Sequence, residues 1–207
     1  MNYFVFAVAW VLWCGLHSLL ISSPATRYLK HQFKFKRHYG RLCYNMIALF
    51  TLLPVFWLGH QLRGPILYGW HGPYLLIRLF LMVSAIFLFV AGAYRYDLRQ
   101  FIGLNLEKTQ KSTKAANRHE PFKTGGILNI TRHPWYLGGL MLIWGRDLDL
   151  ATLISNSILS FYLIVGMFLE ERRLIASHGD QYRRYQEQVS MLIPFKWAKS
   201  RLSRHNN

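Results

Sequence analysis

The stretch from residue 134 to residue 171, PWYLGGLMLIWGRDLDLATLISNSILSFYLIVGMFLEE, is apolar on either side of a polar break and ends on two glutamates. Arg146, Asp147 and Asp149 interrupt it, so it does not read as one continuous crossing. A bilayer core of about 30 Å takes roughly 20 helical residues, and only Leu150 to Leu169 meets that length here. The part before the break makes a short helix of about 12 residues that folds back on the full span as a helical hairpin.

Outward from this hairpin, three earlier runs are long enough to cross: Tyr3 to Ile21, Leu42 to Leu62 and Tyr74 to Ala93. The first lacks a basic residue before its apolar run and a small-residue cleavage site after it, so it reads as a retained helix and not a secretory signal. The expected fold is therefore an all-α integral membrane protein of about five transmembrane helices, the last two a hairpin, with a C-terminal interfacial helix. It forms a single membrane-embedded domain over residues 1–207. Residues 1–93 hold three spans, 94–133 a cytoplasmic loop, and 134–207 the hairpin and tail.

The chain is 52% hydrophobic and carries a net charge of +16, a sign that by itself would also suit nucleic acid. Its distribution points elsewhere. Six Lys and Arg lie between Arg27 and Arg41, eight between Arg95 and Arg132 and eight after Leu169, leaving only Arg63, Arg78 and Arg146. Cytoplasmic loops retain positive charge, which puts the N-terminus outside and the C-terminus inside. The basicity then serves topology and attraction to anionic lipid heads, and no nucleic-acid partner is expected. Cys14 and Cys43 have no spacing that suggests a disulfide or a metal site and read as packing residues.

Between Arg95 and Thr131 runs the one long polar segment, closed by Gly125 and Gly126, which mark a turn before the next ordered element. The tail from Glu170 to Val189 mixes charge with Leu174, Ile175, Tyr182 and Tyr185, so it suits the inner interface, with Gly179 breaking it into two short helices.

Residues 131–139, TRHPWYLGG, open the short helix. Pro134 suits its first turn, where a missing N–H is no loss, and this puts His133 near the N-cap. The free N–H groups there and Arg132 form an anion-binding corner, Tyr136 offers a hydroxyl, and Gly138 and Gly139 admit a close neighbour. Glu170 and Glu171 end the long span on the same side. A carboxylate at a helix C-terminus opposes the macrodipole and calls for a compensating cation, either Arg172 and Arg173 or a bound cationic ligand. A zwitterionic ligand with an extra positive charge, such as S-adenosylmethionine, suits such a place.

The arrangement RHPWYLGG, then EERRLIASHGDQYRRYQEQVSMLIPF, resembles the paired C-terminal motif of the isoprenylcysteine carboxyl methyltransferase and phospholipid methyltransferase superfamily. The likeness covers residues 121–195. GLHSLLISS and LRQFIGLNL are similar to the bacterial branch containing NnrU-type proteins and methanethiol S-methyltransferases. The resemblance implies a membrane methyltransferase whose S-adenosyl-L-methionine is held by Phe122, Lys123, Leu128, Arg132, His133, Pro134, Trp135, Tyr136 and Glu170, with no metal. The expected acceptor is a small or lipophilic molecule, a thiol or an isoprenylcysteine-like carboxylate. Leu128 stands where relatives often carry Tyr, His178 where Phe is usual, and Gly166 near an arginine that holds the substrate carboxylate in the eukaryotic enzymes.

Attack on a sulfonium needs no nucleophilic side chain, but a neutral thiol or amine needs a proton acceptor: Tyr136 is one candidate and His17, at the inner end of the first span, is the candidate catalytic base, its other reading being a histidine hydrogen-bonded between helices. Two other readings stay open: a haem or metal carrier using some of the nine histidines, such as His60 and His71, and a family member that binds the cofactor without turnover.

Overall fold

The computed structural model describes residues 2–21, 39–95 and 124–205. Among these residues lie seven α-helices and no β-structure beyond isolated bridges. In chain order they are α1 (Tyr3–Ile21), α2 (Tyr39–Gln61), α3 (Tyr74–Ala93), α4 (Pro134–Trp144), α5 (Leu150–His178), α6 (Asp180–Gln188) and α7 (Phe195–His205). A 3-10 turn over Gly126–Asn129 precedes α4. Most of the expected loop 94–133, including Phe122 and Lys123, lies outside the described residues.

Three helices, α1, α3 and α5, are long and apolar enough to cross a bilayer. In these windows only 22%, 17% and 17% of the residues are buried within the protein, so their apolar side chains face outward, as suits a membrane protein in contact with lipid. The second expected span is helical but is not among these three, and α4, at 11 residues, is too short to cross.

The described chain divides into two compact units. The first comprises residues up to Gly69 and Asp147–Leu159. There α1 and α2 pack through Phe6, Trp10 and Val55, with Ala151 at the start of α5 completing the core. Trp10 meets Trp13 and Phe56 edge to face, at 5.8 and 5.9 Å between ring centroids. The polar break of the sequence has a structural task here. Leu148 exchanges backbone hydrogen bonds with Tyr68, and the Asp149 carboxylate accepts the Thr152 N–H at 2.7 Å, capping the first turn of α5.

The second unit takes in α3, α4, α6, α7 and the rest of α5. Here α4 lies against α3. A side chain at Gly138 would begin 3.3 Å from the Ala85 carbonyl, which is the close approach expected of that glycine. Gly92 on α3 receives the Trp135 indole, whose N–H donates to the Phe89 carbonyl at 3.1 Å.

Two sequence expectations change. The tail does not begin with a separate short helix: α5 runs without a break through Glu170 and Glu171 to His178, because nothing in that segment stops a helix before Gly179. Gly179, at φ 54°, takes the left-handed turn that glycine adopts without steric cost, and α6 follows. A further helix, α7, follows residues 190–194.

Gly92→Ala would push a methyl group into the Trp135 ring, a clash of the kind that costs about 1–3 kcal/mol. The thermal unfolding midpoint of the purified protein in detergent should fall by several degrees, and an unchanged midpoint would contradict this packing.

Candidate functional site

The site is built where the chain enters α4. Thr131 forms an isolated parallel bridge with Ser190, and its buried hydroxyl donates to the Met191 carbonyl at 3.1 Å. The backbone N–H groups of Arg132 and His133 donate to the Ser190 and Met191 carbonyls at 3.0 and 3.2 Å. This pairing fixes His133 as the N-cap residue of α4 in a non-helical conformation, with Pro134 at the first helical position, as its missing N–H favours.

The arriving side chains converge on Glu171. Its Oε1 accepts from Arg132 Nε at 2.7 Å, His133 Nε2 at 3.0 Å and the Tyr182 hydroxyl at 3.4 Å, and its Oε2 accepts from Gln186 Nε2 at 2.7 Å. The Arg132 and Glu171 side chains are each only 9% exposed. Burial pushes the Glu171 carboxyl up, but the hydrogen bonds from His133 and Arg132 and the Arg132 charge outweigh this and hold it at about 2. This group lies past Leu169, beyond the apolar run of α5. Burial and the Glu171 carboxylate push the Tyr182 phenol well above its usual range, so it remains a donor.

Glu170 is placed differently. Its side chain is 42% exposed, and its Oε2 lies 3.8 Å from His133 Nδ1, the ring nitrogen that Glu171 does not engage. The His133 ring meets Tyr136 edge to face at 5.4 Å, and the Tyr136 hydroxyl packs where a side chain on Gly166 would begin, at 3.5 Å. Glu170, His133 and Tyr136 therefore group together.

The other expected residues serve different surroundings. Arg132 directs Nη1 at the carbonyls of Gln186 and Val189 as well as Nε at Glu171, so those donors are committed within the protein. Leu128 is buried with Leu88 and Ile127, and its carbonyl accepts the Tyr185 hydroxyl. Trp135 is turned toward α3. His17, in the first unit, stacks on Trp13 at 5.3 Å and meets Tyr44 at 6.4 Å. Among the described residues, no group of three His, Cys, Asp or Glu could hold a metal ion. An open cavity of about 510 Å³ meets this cluster only at Arg132 and Gln186 and is otherwise formed by Ser190 and the chain from Met191 into α7, away from Glu170 and Tyr136.

The compensation expected for the glutamate pair is corrected as well. Since α5 continues past Glu171, the pair does not sit at a helix C-terminus, and the macrodipole is not what calls for a cation. Arg172 and Arg173 are exposed, and Arg132 from the α4 entry neutralises Glu171. Sequence reasoning gave Glu171 no role separate from Glu170, and it missed the supporting roles of Thr131, Tyr182, Tyr185 and Gln186. A signal was present: Met167, Glu171, Leu174 and Ile175 recur at helical spacing on one face, which places Glu171 in the inward stripe.

Removing Arg132 as Arg132→Met would strand a buried carboxylate, a change that typically costs about 3–5 kcal/mol and should appear as a large fall in denaturation midpoint. Stability should also depend on acid. The Glu171 contribution is complete above the ordinary carboxyl value of 4.5 and is lost as pH falls through about 2, so Glu171→Gln should flatten the acid limb of a stability profile. An identical acid limb in the variant would refute the ionised hub.

The comparisons with known proteins bear on what this geometry is for. A family model described as NnrU protein matches residues 5–198. A methanethiol S-methyltransferase of Crocosphaera subtropica is 30% identical over 172 residues, covering 77% of this chain and 63% of that protein. Methanethiol S-methyltransferase 1 of Bradyrhizobium diazoefficiens is 32% identical over 162 residues, covering 77% of this chain and 55% of that protein. A methanethiol S-methyltransferase of Mycobacterium tuberculosis is 40% identical over 75 residues, 36% of this chain and 31% of that protein. The chain thus spans 63% and 55% of the length of the first two relatives. No solved structure matches it. The family match takes in almost the whole sequence, the first spans as well as the α4 entry and α5, and the chain belongs to the NnrU protein family.

Proposed function

We propose that this chain is an integral membrane methyltransferase that uses S-adenosyl-L-methionine and acts on a small thiol, with an isoprenylcysteine-like carboxylate as the other acceptor class. The observation that carries the proposal is the grouping of Glu170, His133 and Tyr136 at the α4 entry, in a chain whose relatives are named methanethiol S-methyltransferases. The donor set fits the cofactor. A half-exposed carboxylate beside a ring nitrogen suits an ammonium group, and an aromatic ring next to them is of the kind that attracts a sulfonium.

When bound, S-adenosylmethionine supplies a methyl group already activated on sulfonium sulfur for in-line displacement by a thiolate. The work of the protein is then to bind, orient and exclude water. Glu170 and His133 would hold one end of the cofactor with Tyr136 beside it, and the family likeness adds Phe122, Lys123, Leu128, Arg132, Pro134 and Trp135 as further binding residues. A site at the membrane rim favours the reaction of an anion with a cation, because charge is lost on the way to the transition state and poor solvation penalises the separated ground state. His17 is the proposed acceptor for the proton of a neutral thiol.

The membrane arrangement proposed with this activity has about five membrane helices in a single functional domain, with the short α4 returning through α5 instead of crossing by itself. In it α4 and α5 form a re-entrant hairpin, the C-terminal helices lie in the interface, and the N-terminus is outside. The C-terminus and the site then face the cytoplasm of a bacterial inner membrane, in line with the basic clusters. Trp144 Nε1 to Ser160 Oγ at 2.9 Å, Gly139 beside Leu163 and Tyr136 over Gly166 support the hairpin, since they pair α4 and α5 in opposite chain order.

Radiolabelled methyl transfer from S-adenosylmethionine into methanethiol, larger thiols and a lipid extract tests the activity. The wild type should label a thiol and Glu170→Gln should lose at least tenfold, whereas equal labelling by the two proteins would remove the assignment. His17→Ala should abolish transfer to neutral thiols and keep cofactor binding, and unchanged turnover would end its role as a base.

A further inference from the structure

We propose that Glu171 is a positioning residue: acting through His133, it fixes the imidazole as the Nε2–H tautomer, so that Nδ1 and Glu170 Oε2 together form a two-acceptor seat for an ammonium group. The inference rests on the cofactor reading above and goes beyond it by assigning the charge logic of the glutamate pair.

The geometry leaves one consistent assignment for a neutral ring. Glu171 Oε1 already accepts from Arg132 at 2.7 Å, and as a carboxylate it has only lone pairs to offer. Nε2, at 3.0 Å from the same oxygen, must therefore carry the proton. A neutral imidazole has one N–H and one lone pair, so protonating Nε2 leaves Nδ1 an acceptor. That acceptor lies 3.8 Å from Glu170 Oε2, itself an acceptor. A nitrogen donor can make hydrogen bonds of about 2.9 Å to both, because two such spheres overlap when their centres are this close. A carboxylate or phosphate would meet two lone pairs and be repelled. The seat selects a cationic donor with at least two N–H bonds, such as a primary ammonium.

The surroundings keep the ring from turning over. His133 is buried, its backbone is tied to Met191, and its ring meets Tyr136 at right angles. A 180° flip would exchange Nδ1 with Cδ2 and Nε2 with Cε1, so ring carbons would replace the nitrogens that now face Glu170 and Glu171. The adjacent glutamates thus have separate tasks: Glu171, buried and saturated, orders the histidine, and Glu170, half exposed, meets the ligand.

Two readouts test this. Imidazole nitrogen-15 NMR of the purified, histidine-labelled protein in detergent, with His133→Gln used to assign the signal, reads the tautomer without any ligand. The wild type should show a protonated Nε2 and an unprotonated Nδ1. The reverse pattern, or two protonated nitrogens, overturns the proposal. Calorimetric binding then compares S-adenosylhomocysteine with its analogue lacking the α-amino group. The wild type should prefer the amine by tenfold or more, and Glu171→Leu should bring the ratio of the two affinities to nearly one. Glu171→Gln, which keeps an oxygen acceptor for Nε2–H, should restore most of the preference. Equal losses for both ligands in Glu171→Leu would reduce Glu171 to a structural role and overturn the proposal. If Glu171→Leu does not fold, the wild-type tautomer and the Glu171→Gln preference still decide. Failure of the wild type to bind either ligand would instead reject the cofactor reading, with the tautomer measured independently.

Discussion

A carboxylate withdrawn from water has to be met by donors, and at Glu171 that requirement organises the second compact unit. An unpaired buried charge costs several kcal/mol, so the position is stable only with its neighbours in place. Four donors arrive from two parts of the chain: Arg132 and His133 from the entry to α4, and Tyr182 and Gln186 from α6. Each needs its own backbone held. The Thr131–Ser190 bridge holds the first pair, and the left-handed turn at Gly179 aims α6 back along α5 for the second. The Gly-x-x-Tyr-x-x-Tyr pattern then has a plain physical meaning, since Tyr182 reaches Glu171 and Tyr185 reaches the Leu128 carbonyl from successive turns of one helix face.

The same network frees Glu170. With Arg132 neutralising Glu171, the carboxylate of the exposed member of the pair faces the His133 ring and has no Lys or Arg ion pair among the described residues, which is the property a cation site needs. Small residues shape the rest. Gly92 takes the Trp135 ring and anchors α4 to α3, and Gly166 leaves space for Tyr136. A large side chain at Gly166 would displace Tyr136.

Hydropathy made much of the fold legible. The limits of α1 and α3 coincide with the apolar runs Tyr3 to Ile21 and Tyr74 to Ala93, because in lipid the backbone must satisfy itself and an apolar run of that length becomes helix. Pro134 marked the start of α4 through its fixed φ and missing N–H. What hydropathy did not reveal was the continuation of α5 beyond Leu169, since the end of an apolar run is not a helix stop and Gly179 is the first residue there with a reason to break it. The division of labour between Glu170 and Glu171 was hidden for a related reason. Adjacent residues on a helix point about 100° apart, and only the buried stripe through Met167 and Leu174 tells which one turns inward. The partner of Glu171 lies 39 residues away in sequence, a distance at which charge pairing is set by tertiary packing.

The central claim, that the α4 entry and the Glu170 end of the apolar run form a cofactor site, is tested most directly by locating the bound cofactor. Ultraviolet cross-linking of methyl-tritiated S-adenosylmethionine to the purified protein, followed by peptide mapping, should place label in the segments around residues 131–139 and 166–171. Excess S-adenosylhomocysteine should suppress it. Label confined to other segments, or label that the competitor leaves unchanged, would contradict the account.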